Sequence, residues 1–157
     1  MIKVVVSSCL LGTPVRYNGE HKKSGHPVLE RWVAEGRVVS VCPEMLGGLG
    51  TPRPPAEIVR GTRRVVTPEG RDVTREFEDG ARAADEQARA NAVRVAILKE
   101  GSPSCGSSYV YDGTFTRTRV TGEMGIAAAL LRERGIAVFS EEQIDAAAEY
   151  VASLERD

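Results

Sequence analysis

Four short runs of β-branched residues, separated by stretches with helical periodicity, leave this chain few folds to choose from. The runs are "IKVVV" (2–6), "VVSV" (38–41), "VAIL" (95–98) and "IAVF" (136–139). Their apolar content is nearly continuous rather than alternating, as in parallel strands covered on both faces. "HPVLERWVAEG" (26–36) has a helical pattern and stops at Gly36, the residue type that ends helices in a left-handed conformation. "VTREFEDGARAADEQARANA" (73–92) places Phe77, Ala81, Ala84, Ala88 and Ala92 on one stripe. "GIAAALLRERG" (125–135) packs through Ile126, Leu130 and Leu131. A last helix opens on Ser140 and Gln143 in capping-box spacing, with Ile144, Ala148, Val151 and Leu154 on its apolar face. This alternation predicts an α/β fold: one domain over 1–157, built on an open, mainly parallel sheet flanked by helices. Two segments break the rhythm. "TPRPPAEIVRGTRRVVTPEGRDV" (51–73) reads as a loop with a small hairpin, and "YVYDGTFTRTRV" (109–120) as a second hairpin with "DG" at its turn.

Charge and cysteine usage narrow the function. No apolar run approaches the roughly 18 residues of a membrane span. The start, "MIKVVVSSCLLG", has no basic leader or long apolar core and reads as a strand rather than a signal peptide. The net charge of -1 conceals an asymmetry: residues 1–75 hold 12 Lys/Arg against 7 Asp/Glu, and residues 76–157 hold 9 against 15. The basic half suits a small anionic ligand. The acidic half argues against whole tRNA, and nucleic-acid-binding domains are usually far more basic. The 3 cysteines, an odd number at wide spacing, do not make a disulfide framework, so a reducing cytoplasm is the expected compartment.

Cys9, Cys42 and Cys105 each follow one of the strand-like runs, in a loop rich in Gly, Pro or Ser. In an open parallel sheet the C-terminal strand ends share one edge, where ligands bind. A lone cysteine is often just a small buried residue. Three of them at one edge read as a metal centre. Zinc normally takes four closely spaced Cys/His ligands, and one of His21 and His26 would have to complete the set. Three thiolates suit a 4Fe–4S cluster with one iron free of protein, although the usual cluster has four cysteines. Spacing alone leaves both open. Around the thiols, Glu44 in "VCPEMLGGLGTPRPPAE" (41–57) is a candidate general base. Arg53, held in the extended "TPRPP", is a candidate substrate clamp. Ser102 and Ser104 flank Pro103 and can orient a substrate or relay a proton, while Tyr17, Tyr109 and Tyr111 can stack a flat heterocycle. There is no P-loop, no H-E-x-x-H and no complete G-x-G-x-x-G.

"SSCLLG", "VCPEMLGGLGTPRPPAEI" and "KEGSPSCGSSYVYDG" closely resemble the bacterial thiouracil/thiouridine desulfidases, over residues 1 to about 140. The chain looks like the short form of that family, which lacks the additional C-terminal domain of longer relatives. The resemblance implies a 4Fe–4S cluster held by Cys9, Cys42 and Cys105, whose open iron takes the thiocarbonyl sulfur. It assigns the acid/base carboxylate to Glu44 and a catalytic serine to Ser102. The implied reaction is non-redox: 4-thiouridine or thiouracil becomes uridine or uracil plus sulfide. Arg53, Ser104 and Tyr17 are the expected substrate contacts, and the expected substrate is a small thiolated nucleobase, nucleoside or nucleotide. Two other readings compete with this one. A sulfur-inserting tRNA or nucleotide thiolase normally activates the base with ATP, and no ATP-binding loop is recognisable. A non-enzymatic zinc-binding module would be colourless, whereas an iron–sulfur protein is brown.

Overall fold

A computed structural model describes residues 1–156 of the chain. In chain order its elements are β1 (Val4–Ser7), α1 (Pro27–Ala34), β2 (Val38–Val41), α2 (Pro43–Leu46), β3 (Glu57–Ile58), β4 (Val65–Val66), α3 (Thr74–Ala90), β5 (Val95–Leu98), β6 (Tyr109–Tyr111), β7 (Arg119–Thr121), α4 (Ile126–Glu133), β8 (Ala137–Ser140) and α5 (Ile144–Glu155). Four strands pair in parallel in the order β2-β1-β5-β8. β3 with β4, and β6 with β7, form separate antiparallel hairpins. The expected α/β architecture with two hairpin insertions is what the chain adopts.

The valine runs are continuous because both faces of the sheet are covered. Successive side chains of a strand point to opposite faces. Val4, Val6, Val95 and Ile97 meet Leu29 and Trp32 of α1 and Ile144 and Val151 of α5. Val5, Ala96 and Leu98 meet Ala88 of α3 and Ala128 and Leu131 of α4. A third cluster joins Ile58, Val65, Val73, Phe77 and Val110, and so ties both hairpins to α3.

Three local expectations change. The α3 stripe ends at Ala88, because the helix stops at Ala90 and Ala92 turns the chain with φ 52°. Gln143 Oε1 accepts the Ser140 N–H (3.0 Å), but Ser140 Oγ accepts from Glu142 N–H (3.1 Å) and α5 starts only at Ile144. Half a capping box therefore shapes the turn before the helix. In the second hairpin Tyr111 pairs with Arg119, so residues 112–118 form a long loop, which Asp112 and Gly113 open rather than close.

The sheet order places the site. From β1 the chain goes to β2 on one side, then crosses to β5 on the other. Such a switch point opens a crevice at the C-terminal strand ends. One wall of that crevice hangs on two glycines. A Cβ on Gly80 would lie 1.8 Å from the Pro43 carbonyl oxygen, and one on Gly47 would lie 1.9 Å from the Glu76 oxygen. Helix α2, which carries Glu44, thus rests backbone to backbone on α3. Gly80→Ala is expected to cost about 1–3 kcal/mol through overpacking that no rotamer can relieve. The midpoint of urea unfolding checks this; an unchanged midpoint would contradict so tight a contact.

Candidate functional site

Cys9, Cys42 and Cys105 follow three adjacent strands. Cys9 lies in a short 3-10 turn, Ser8–Leu11, directly after β1, and its carbonyl accepts N–H bonds from Gly12 (3.3 Å) and Lys22 (2.9 Å). Gly12 closes the turn at φ 96°, a conformation that costs a residue with a Cβ. Cys42 is the N-cap of α2, and its carbonyl accepts the Leu46 N–H (2.9 Å). Cys105 sits in the loop after β5. All three are free thiols lining one cavity of about 370 Å³.

Burial pushes Cys105 up to about 12, with the Ser104 and Ser7 hydroxyls acting against it. It pushes Cys9 up to about 11, with neighbouring Cys42 adding to the effect, and raises Cys42 as well. The thiols therefore hold their protons until positive charge arrives, and metal binding would displace those protons. Cys9 lies within electrostatic reach of both Cys42 and Cys105. Yet among the described residues no three His, Cys, Asp or Glu side chains gather as ligands of one ion. Neither histidine lines the cavity. His26 caps α1 through the Val28 N–H (3.1 Å) and faces Asp145 (3.1 Å), while His21 accepts the Lys23 N–H (3.1 Å). Three soft donors around one opening, with no histidine beside them, fit an iron–sulfur centre better than a tetrahedral zinc ion.

Beside the thiols stands one carboxylate with both oxygens engaged. Glu44 Oε1 accepts from Arg53 Nε (3.1 Å). Its Oε2 accepts from the hydroxyls of Ser104 (3.1 Å) and Ser102 (3.4 Å). The two serine oxygens are 3.0 Å apart. Ser102 Oγ also accepts the N–H groups of Ser104 and Cys105, both at 3.1 Å, so its own proton is left to point at Glu44 or Ser104. Ser104 Oγ reaches the Cys105 sulfur at 3.5 Å. A continuous path of polar atoms thus joins the carboxylate, two hydroxyls and a thiol.

Arg53 faces inward. Its Nη1 donates to the Gly50 carbonyl (2.8 Å) and its Nη2 to that of Val15 (3.0 Å). The side chain is only 7% exposed, against 16% for Glu44. Its guanidinium is occupied by Glu44 and the loop walls. Tyr17 lies half-exposed at the rim, with the Arg16 guanidinium 5.8 Å from its ring centre.

On the opposite wall the sequence pattern singled out Tyr109 and Tyr111 but not the arginines beside them. Val110 of β6 points into the third apolar cluster, so Tyr109 and Tyr111 face the cavity. Arg119 lies 4.0 Å over the Tyr109 ring and Arg117 lies 5.5 Å from the Tyr111 ring centre. Glu57 Oε1 anchors the hairpin loop by accepting the N–H groups of Gly113 (3.0 Å) and Phe115 (3.1 Å). Arg16, Lys22, Arg117 and Arg119 line the mouth, and among the described residues none has an ion-pair partner, unlike Arg53 and Lys99. Alternation along "YVYDGTFTRTRV" was the available signal for these arginines, but it needed the strand register.

Comparison with known proteins agrees with this geometry. A family model described as 2-thiouracil desulfurase matches residues 4–143. The uncharacterized protein YbbK of Bacillus subtilis (strain 168) is 43% identical over 150 residues, covering 90% of this chain and 97% of YbbK. A solved structure described as the 4Fe-4S-dependent thiouracil desulfidase TudS superposes with a TM-score of 0.93 at 49% identity, covering 97% of this chain and 99% of that one.

Proposed function

The chain belongs to the 2-thiouracil desulfurase family, and on that premise we propose that it hydrolyses the C=S bond of thiolated uracil compounds in a reducing cytoplasm. One observation carries the assignment to particular residues: three thiols from adjacent strand ends share a cavity with a carboxylate bonded to two serine hydroxyls. In this reading Cys9, Cys42 and Cys105 hold a 4Fe–4S cluster. When bound, the cluster supplies a Lewis-acidic iron for the thiocarbonyl sulfur, which makes the attached ring carbon electrophilic.

The protein's own groups do the rest. Glu44 takes a proton from water at Oε2, and the resulting hydroxide adds to the ring carbon. Ser102 and Ser104 hold that proton path through their bonds to Oε2, and in this reading Ser102 returns a proton to the substrate. Arg53 fixes the carboxylate rotamer through Oε1 while lining the same cavity as the thiols. The reaction balances as water plus thiocarbonyl giving carbonyl plus hydrogen sulfide, with no electron donor. Turnover in heavy-oxygen water tests this. The heavy oxygen should appear in the product carbonyl without any added reductant, and a requirement for reductant in each turnover would refute it.

The substrate is a small molecule, with Tyr17, Tyr109 and Tyr111 flanking its ring. The unpaired cations at the mouth favour a thiouridine 5′-phosphate over the free base. Arg117→Ala and Arg119→Ala are each expected to raise KM for the nucleotide about tenfold or more, the loss of one charge-assisted hydrogen bond. KM for free thiouracil should stay within twofold. Equal effects on nucleotide and base would show that these arginines serve only the hairpin.

A further inference from the structure

Glu100 is a buried carboxylate to which the chemistry above gives no task. It is 5% exposed and, among the described residues, has no cationic partner. Lys99, its neighbour, instead pairs with Glu141 (2.8 Å) and donates to the Glu100 carbonyl (3.0 Å). The Glu100 side chain reaches across the base of the following loop. Its Oε1 accepts the N–H groups of Ser107 (2.8 Å), Ser108 (2.9 Å) and Tyr109 (3.4 Å). Its Oε2 accepts the hydroxyls of Ser108 (2.6 Å) and Ser107 (3.3 Å). Consecutive backbone amides of this kind form an anion-binding concavity, here filled from within. Burial alone would raise the Glu100 pKa. The hydroxyl and amide of Ser108 outweigh burial, aided by the amides of Ser107 and Tyr109, and hold it below the ordinary glutamate value.

The loop so closed, residues 100–109, contains Ser102, Ser104 and Cys105 and delivers Tyr109 to the cavity wall. Its far side is pinned separately, by the first turn of α4. There the N–H groups of Gly125, Ile126 and Ala128 donate to the carbonyls of Gly106 (2.8 Å), Pro103 (2.8 Å) and Ser104 (3.0 Å). Two independent clasps therefore hold the loop, and only one of them is a single side chain. We infer that Glu100 is a positioning residue for desulfuration: by tying the returning chain at 107–109 to the end of β5, it sets the register in which the Ser102 and Ser104 hydroxyls meet Glu44. The inference rests on the desulfuration proposed above, but its geometric half does not.

The test compares Glu100→Ala and Glu100→Gln. Glutamine keeps one carbonyl oxygen for the three amides, and the serine hydroxyls can rotate to accept from its NH₂. Alanine removes every acceptor. In the cluster-free protein, amide hydrogen exchange at Ser107, Ser108 and Tyr109 is expected to speed up about tenfold or more in Glu100→Ala, with β1 and β5 amides unchanged. In the iron-loaded protein kcat should fall about a hundredfold, the scale of an ångström-sized misplacement, with KM within threefold. Glu100→Gln should recover kcat to within about tenfold of the wild type and restore slow exchange. The inference is overturned by normal kcat in Glu100→Ala, by faster exchange throughout the sheet, or by Glu100→Gln as inactive as the alanine variant. Inactive wild-type protein with the expected exchange pattern would count against the desulfuration and leave the clasp standing.

Discussion

Serine in place of Cys9, Cys42 or Cys105 is expected to abolish bound iron and desulfuration together. Each thiol stands at the end of a different strand, so each replacement removes one corner of the centre and no neighbouring donor can substitute. The two histidines are committed elsewhere, His26 to the α1 cap and His21 to a turn. The fold should survive, because the sheet rests on Val4, Val5, Val6 and Ile97 and their facing helices rather than on the thiols. Serine is close in size to cysteine, so each replacement leaves little void. Iron analysis, turnover and far-ultraviolet circular dichroism on the same preparations check the three parts. A variant that keeps full iron and activity would remove that cysteine from the centre.

Glu44→Gln separates the carboxylate from the cluster. The amide oxygen can still accept from Arg53 and its NH₂ can donate to a serine hydroxyl, so the walls of the cavity stay in place, but it cannot take a proton from water. Loss of a positioned general base lowers rates by roughly 10²–10⁴-fold. Iron and sulfide content should equal the wild type, with kcat reduced on that scale and KM little changed. Arg53→Ala should reproduce part of the same loss, since it frees the Oε1 side of Glu44 and opens the contact between α2 and the loop at Gly50. Wild-type kcat in Glu44→Gln would place the base elsewhere.

Much of the fold was legible from local pattern, because the four sheet strands are short and nearly continuous in apolar residues, and the two central ones are fully buried. "VVSV" and "VAIL" coincide with β2 and β5 residue for residue. Strand order was not legible. Four apolar runs look alike, and nothing local says that β1 lies between β2 and β5. That order is what makes the three thiols neighbours. The candidate site was readable to the extent that its residues sit in loops directly after strands. The roles of long side chains were harder to read. Arg53 was legible as a candidate from its extended segment, but its bonds to Glu44 and to the Val15 and Gly50 carbonyls were not. Glu100 lay inside the quoted motif unremarked, since its partners follow it in the loop and become donors only once the chain folds back. Gly80 has no local reason to sit inside α3; the close approach of α2 explains it.

Anaerobic reconstitution followed by iron and acid-labile sulfide analysis, with a visible spectrum, tests the central claim most directly. The account predicts about four iron and four sulfide per chain, as for a single cubane cluster, a brown protein, and sulfide release from a thiouracil compound only in that state. One zinc per chain, no labile sulfide and no change on reconstitution would contradict it, and would make the three thiols a site of another kind.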